Sequence, residues 1–236
     1  MKHKGSVYII GDVHGHLATL IALLNKIPAN ARIIFTGDLM DRGPESKGVI
    51  ELLIENGYES ILGNHDYEFL HYRRDKKTGA PLIYMDLLHS GYSQMSTINS
   101  YIRDVQFNLE EYEEHLDFVR KFPLFKYIEF EDENVLPLVV SHSFILPYWR
   151  GPDTLLQPIE IERVLLRHMN NKSGNVKYIN DDFTHTGVFN VMGHSHFKEV
   201  VLADNFAIVD TGACYKNKLS ALKYPEMEII SQDFKG

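Results

Sequence analysis

A rhythm of short β-rich runs, each stopped by glycine, aspartate, asparagine or histidine, constrains this chain more than any other feature. Val7-Tyr8-Ile9-Ile10 runs into Gly11-Asp12-Val13-His14-Gly15, and Ile33-Ile34-Phe35-Thr36 into Gly37-Asp38. Ser60-Ile61-Leu62 stops at Gly63-Asn64-His65-Asp66, Leu136 to Val140 at Ser141-His142, and Val188 to Met192 at Gly193-His194-Ser195-His196. Apolar runs this short, closed by turn residues, suit the buried strands of a central sheet. Between the first of them lie helical patterns. Leu17, Leu20, Ile21, Leu24 and Ile27 keep a helical period up to Pro28, and a second helix starting near Pro44 carries Val49, Ile50, Leu52 and Leu53 to a stop at Gly57. Strand–helix alternation predicts an α/β fold with a parallel component.

After Ala203 the pattern changes. Phe206 to Asp210, Leu219 to Lys223 and Glu228 to Ser231 read as strands joined by short loops. They predict an antiparallel second sheet packed on the first, so that the whole is a β-sandwich of two mixed sheets flanked by helices. Residues 67–125 stand apart as a mainly helical insertion over one edge of a single 1–236 domain. This stretch carries a charged loop at 73–79 and a capping box formed by Asn108 and Glu111.

Charge and hydropathy narrow the function. Lys and Arg number 24 against 32 Asp and Glu, a net charge of −8 that argues against extended nucleic-acid binding or an anionic membrane surface. The longest stretch without formal charge, Val135 to Trp149, is too short to span a bilayer and contains Pro137 and Pro147. The apolar run after Met1-Lys2-His3-Lys4 stops at Gly11, short of a signal-peptide core. The one cysteine, Cys214, leaves no intrachain disulfide and reads as a packed small side chain. A cytoplasmic location is expected.

The polar residues that end the strands are of one chemical kind. The C-terminal ends of strands in α/β sheets converge on one edge, where ligands bind. Asp12, His14, Asp38, Asn64, His142 and His194 would then gather carboxylate, amide and imidazole donors around one point. A mixed nitrogen and oxygen set without thiolate suits divalent manganese, iron or zinc, with manganese the first choice. So many donors are too many for one tetrahedral ion and suit two ions sharing a carboxylate, for which Asp38 is the candidate bridge. A bridging water there would lose a proton and become the hydroxide that attacks phosphorus in line. Arg42 would add paired donors to phosphoryl oxygens.

Gly11-Asp12-Val13-His14-Gly15, Gly37-Asp38-Leu39-Met40-Asp41-Arg42-Gly43 and Gly63-Asn64-His65-Asp66 resemble the three signature blocks of the PPP-type metallophosphoesterases of the calcineurin-like superfamily. His142 and Gly193-His194 stand where that family places its later histidines, and Asp210-Thr211-Gly212-Ala213 is similar to a segment near the end of such domains. By size and layout the chain resembles the compact bacterial and phage serine/threonine protein phosphatases, such as that of phage lambda. The resemblance implies that Asp12, His14 and Asp38 hold a first metal, and that Asp38, Asn64, His142 and His194 hold a second. It implies further that His65 protonates the leaving oxygen, oriented by Asp41, and that Arg42 binds phosphate with a second arginine, Arg167 or, as an outsider, Arg150. His196 stands either as a further ligand to the first metal or as a loop histidine. The activity implied is phosphomonoester hydrolysis on phosphoproteins or small phosphate esters. Dinucleoside polyphosphate hydrolysis is the alternative, and a non-catalytic scaffold that binds phosphorylated partners is a further one. Asp41 favours the first, because the dinucleotide hydrolases commonly lack an acid at that position.

Overall fold

The computed structural model describes residues 2–71, 74–79, 81, 91–103, 106–166 and 183–236. Strand β1 (Val7–Ile10) is the middle of a five-stranded sheet, with β2 (Arg32–Phe35) parallel on one side and β11 (Lys218–Tyr224) antiparallel on the other. The two-residue β3 (Glu59–Ser60) continues the parallel side, and β12 (Glu228–Asp233) closes the other edge as a hairpin with β11. A second five-stranded sheet runs in the order β6 (Phe125–Ile128), β7 (Leu138–Ser141), β8 (Phe189–Met192), β10 (Phe206–Ile208) and β9 (Val201–Leu202). In it β7, β8 and β10 are parallel, and both edge strands are antiparallel.

Side-chain alternation explains the layering. Val7, Ile9, Ile34 and Leu222 point toward the second sheet and meet Leu138, Val140 and Val191 there. Tyr8, Ile10, Ile33, Phe35 and Ala221 point the other way, onto helices. Those helices are α1 (Leu17–Leu24), α2 (Ser46–Asn56), α3 (Asn64–Leu70), α4 (Gly91–Ser100) and α5 (Leu109–Val119), with a small hairpin of β4 (Ile102–Arg103) and β5 (Gln106–Phe107) before α5. On the outer face of the second sheet, Val139, Met192 and Ile208 pack with Phe144, Ile145 and Val164 of α6 (Pro158–Leu166). The result is a four-layer helix–sheet–sheet–helix stack. No helix among the described residues is long and apolar enough to cross a membrane.

Both faces of β1 are apolar, so exposure alone does not penalise a one-residue slip. Its ladder to β2 and β11 sets the register, continued by the Gly11 amide to the Ser220 carbonyl at 3.1 Å and the Thr36 amide to the Ile10 carbonyl at 2.9 Å. That register places Asp12 just past the end of the strand.

Three expectations need correction. The strands after residue 203 do not form a separate antiparallel sheet: β10 joins the second sheet parallel to β8, whereas β11 and β12 return to the first. Leu219 and Ala221 reach the helix-side core while Leu222 and Tyr224 reach the core between the sheets, and only an interior position buries both faces. Helix α1 buries Leu20 and Leu23 but leaves Ile21 43 % exposed, because a helix apolar on several sides does not announce its inner face. At α5 only half of the capping box exists. Asn108 accepts the Glu111 amide at 3.2 Å, but the Glu111 carboxylate turns to Lys47 of α2 at 3.1 Å and to Arg103 at 3.3 Å. Lys47 is itself buried, and pairing relieves the cost of enclosing its charge.

Candidate metal centre

The loops that leave β1, β2, β3, β7 and β8 meet at one edge of the sandwich and are stitched together through their backbones. The His14 amide donates to the Asp38 carbonyl at 2.9 Å, the Gly15 amide to the Leu39 carbonyl at 2.8 Å, and the Gly193 amide to the His142 carbonyl at 3.0 Å. Asp66, fully buried at the start of α3, accepts the amides of Asp38 at 2.8 Å, Leu39 at 3.0 Å and Gly63 at 2.9 Å. One carboxylate thus clamps the second loop to the third. Burial and the neighbouring Asp38 carboxylate push Asp66 up to about 7. Asp66→Ala leaves three buried N–H groups without an acceptor, and a loss of about 3 kcal/mol or more is expected at roughly 1–3 kcal/mol each. A thermal melt at fixed metal concentration reads this directly, and an unchanged midpoint would disprove the clamp.

The loops are also strained in one place. Seven described non-glycine residues have positive φ, and five of them are His14 (48°), Asp38 (51°), Asp41 (69°), Arg42 (66°) and His194 (61°). Left-handed backbone costs a residue with a Cβ about 1–2 kcal/mol, so these positions persist only because their surroundings over-determine them. Two glycines make the close approach possible. A Cβ on Gly63 would collide with the Asp38 carboxylate, and one on Gly193 with the Asp12 carboxylate.

Asp38 is the hub. Its Oδ2 lies 3.6 Å from His14 Nε2, and its Oδ1 lies 3.5 Å from His142 Nε2 and accepts the His65 amide at 2.9 Å. Among the described residues three groups of three donor atoms fall within 4.8 Å of one another: two share Asp38, one with His14 and His65 and one with His142 and His194, and the third joins Asp41, His65 and Glu68 on the far side of His65. Asn64 Oδ1 adds to the second group, 3.0 Å from both His142 Nε2 and His194 Nδ1. Asp12 is buried beside them but belongs to none of the triplets. Its carboxylate accepts the Thr36 hydroxyl and the His194 amide, each at 3.0 Å.

The donor set fits divalent cations. His14 Nδ1 donates to the Met40 carbonyl at 2.9 Å and His142 Nδ1 to the Thr36 carbonyl at 2.8 Å, which turns the unprotonated Nε2 of each ring toward Asp38. Burial pushes both imidazoles toward the neutral, ligating form. The His142 Nε2 lone pair then faces Asn64 Oδ1 and Asp38 Oδ1, both acceptors, and a cation is what reconciles converging lone pairs. Carboxylate charge is also in excess. Burial, with Asp210 and Asp38 alongside, holds Asp12 well above the usual carboxylate range, and burial and Asp38 lift Asp210 to about 6. Asp38 goes the other way: burial opposes its ionisation, yet His142, His65 and His14 hold it far below that range. Cations at this point relieve the crowding of acids.

His65 faces the other side. Its Nδ1 lies 2.7 Å from Asp41 Oδ2, and Thr97 of α4 donates to Asp41 Oδ1 at 2.6 Å while accepting the Asp41 amide at 2.9 Å. Burial lowers the His65 basicity, but Asp38 and the bond to Asp41 outweigh it and raise the imidazole to about 9. Its Nε2 lies 3.3 Å from Arg42 Nη2. Arg42 Nη2 can only donate, and an oxyanion alongside the pair would accept from it and from His65 Nε2 when that nitrogen carries a proton. Arg42 also donates to Cys214 Sγ at 3.0 Å and the Tyr215 hydroxyl at 3.3 Å.

Other candidates fall elsewhere. His196 is exposed and packs on the Tyr215 ring, 4.4 Å between centroids, outside all three triplets. Arg150 is tied to Glu160 of α6 and the Leu155 carbonyl, and Arg167 lies outside the described residues. Sequence reasoning missed Asp66 and Thr97. Asp66 sits inside a signature block, where an acid in the first turn of a helix reads as a simple cap. Thr97 carries no local signal, since it reaches Asp41 across 56 positions.

Comparison with known proteins identifies the family. Residues 5–198 match the sequence model of the calcineurin-like phosphoesterases. The symmetrical bis(5'-nucleosyl)-tetraphosphatase of Buchnera aphidicola is 28 % identical over 182 residues, covering 75 % of this chain, which spans only 57 % of that protein's length. The asymmetrical bis(5'-nucleosyl)-tetraphosphatase of Oceanobacillus iheyensis is 25 % identical over 239 residues, covering 94 % of this chain and 90 % of the relative. A crystal structure of a proposed diadenosine tetraphosphatase superposes with a TM-score of 0.64 at 21 % identity, over 98 % of this chain and 95 % of its own. The relatives carry the name of the alternative, a dinucleoside polyphosphate hydrolase, rather than that of a lambda-type serine/threonine protein phosphatase. The match over residues 5–198, most of the chain's length, establishes that this chain belongs to the calcineurin-like phosphoesterases.

Proposed function

We propose that this chain is a two-metal phosphoesterase that hydrolyses dinucleoside polyphosphates. The observation that carries the substrate is the likeness, from end to end, to the asymmetrical tetraphosphatase of Oceanobacillus iheyensis. Divalent cations, manganese the first to test, supply the Lewis acidity that activates water and neutralises phosphoryl charge. Asp12, His14 and Asp38 would hold one ion, and Asp38, Asn64, His142 and His194 the other. The side chains do the remainder. Arg42 and His65 grip the phosphoryl oxygens from one side and fix the phosphorus for in-line displacement. Water adds to phosphorus and releases a proton to solvent, a bridging P–O bond breaks, and His65 Nε2 hands its proton to the departing phosphate oxygen and regains one from solvent. Asp41, held by Thr97, keeps the ring turned toward that oxygen.

One observation favours a second reading. A buried acid–histidine pair 2.7 Å apart is worth most where the leaving group is a poor one, such as the serine alkoxide of a phosphoprotein. The two readings separate in one assay of manganese-loaded protein with diadenosine tetraphosphate and with a phosphoserine peptide. The dinucleotide reading expects ATP and AMP from an asymmetrical cut, or ADP alone from a symmetrical one. Phosphate released from the peptide faster than the dinucleotide is cleaved would overturn it in favour of a protein phosphatase.

A further inference from the structure

We propose that His196 and Tyr215 form an aromatic ledge on which a nucleobase of the substrate stacks, beside the arginine that takes its phosphate. The inference rests on the dinucleotide reading above and names the part of the site that recognises the nucleoside. The two rings come from different loops, His196 from the loop after β8 and Tyr215 from the short turn between β10 and β11. Their centroids are 4.4 Å apart at a tilt of 38°. Tyr215 is 57 % exposed and His196 is exposed too, so core packing does not explain the pair.

The ledge is built to hold still. Gly212 (φ 74°) and Lys216 (φ 61°) bracket the turn in left-handed backbone. The Gly212 amide donates to Asp210 Oδ1 at 2.9 Å, and the Phe197 amide, next to His196, donates to the Asp210 carbonyl at 3.1 Å. Asn217 Nδ2 ties the turn to the other loop through the Thr211 carbonyl at 2.7 Å and the Lys198 carbonyl at 3.0 Å. Both rings are therefore anchored around one residue, Asp210.

Position supplies the ligand chemistry. Arg42 donates to the Tyr215 hydroxyl at 3.3 Å, and its guanidinium carbon lies 5.5 Å from the centre of the Tyr215 ring. The ledge therefore begins where the Arg42–His65 grip on phosphate ends. A nucleoside 5'-phosphate carries its flat base one sugar away from phosphorus, whereas a phosphoserine carries no ring there. Stacking of a base on aromatic side chains tolerates any base, so the ledge would select nucleosides over other phosphate esters without choosing adenine.

Calorimetric titration of the manganese-loaded protein with AMP and with ribose 5-phosphate tests the ledge without relying on turnover. AMP is expected to bind at least about fivefold more tightly, the low end of what one stacked base contributes. Tyr215→Leu and His196→Ala should each bring the ratio close to one, while Tyr215→Phe should keep it and weaken both ligands alike through Arg42. Metal content should be unchanged in His196→Ala. Loss of metal with equal weakening of both ligands would make His196 a ligand and overturn the proposal. A ratio of one in the unaltered protein overturns it whatever happens to diadenosine tetraphosphate. A preserved ratio without cleavage of that dinucleotide instead retires the reaction reading and leaves the ledge standing.

Discussion

Asp38→Asn is expected to lower metal content from two ions per chain to fewer than one and to cut turnover by roughly 10³-fold, at least what removing one preorganised electrostatic donor costs. The two oxygens of Asp38 face different imidazoles, His14 and His142, so a neutral amide weakens both cation positions at once. A substitution at His14 or His194 touches only one. The Asn oxygen can still accept the His65 backbone amide in place of Asp38 Oδ1, so the fold of the loop is expected to survive the loss of charge. Elemental analysis and turnover on an aryl phosphate, with circular dichroism to establish folding, decide the matter. Full activity with two ions retained would end the bridging assignment.

His65→Asn should leave the metal content intact and slow hydrolysis in proportion to how poor the leaving group is. General-acid assistance is worth about 10²–10⁴-fold where the departing oxygen needs a proton, as with a phosphoserine peptide. For nitrophenyl phosphate the loss should be well under tenfold beyond any weakening of phosphate binding. Diadenosine tetraphosphate should lie between, because a nucleotide leaves as an already stable anion. The measurement is a plot of rate against leaving-group basicity for both proteins. Parallel lines would remove the acid role from His65 and leave it only the grip it shares with Arg42.

The features visible in the sequence were those that reside in one short stretch. Asp12, His14, Asp38, Asn64, His142 and His194 each follow an abrupt strand end, and the physics of that ending brought them to one edge of the sandwich. The α2 stop at Gly57, with φ 65°, was equally local. What stayed hidden depends on which distant segments pair. Nothing within Lys218–Tyr224 states that it will lie beside β1, because its apolar residues on both faces fit any interior position. Asp66 and Thr97 act by collecting backbone and side-chain partners from remote loops, so their composition reads as capping or as filler. His196 repeats a metal-binding spacing yet points to Tyr215, a choice made by the turn that Asp210 and Asn217 hold in place.

The left-handed backbone at His14, Asp38, Asp41, Arg42 and His194 sets a limit on how this chain can be improved. Glycine is the residue such torsions prefer, and a search for hardier variants by conformational relief would be drawn to these five positions first. Each of them is also a place to which the proposed function gives metal, proton or phosphate. Robustness and reactivity therefore compete for the same few residues, and an engineered gain in heat tolerance has to come from the helices and sheet edges instead.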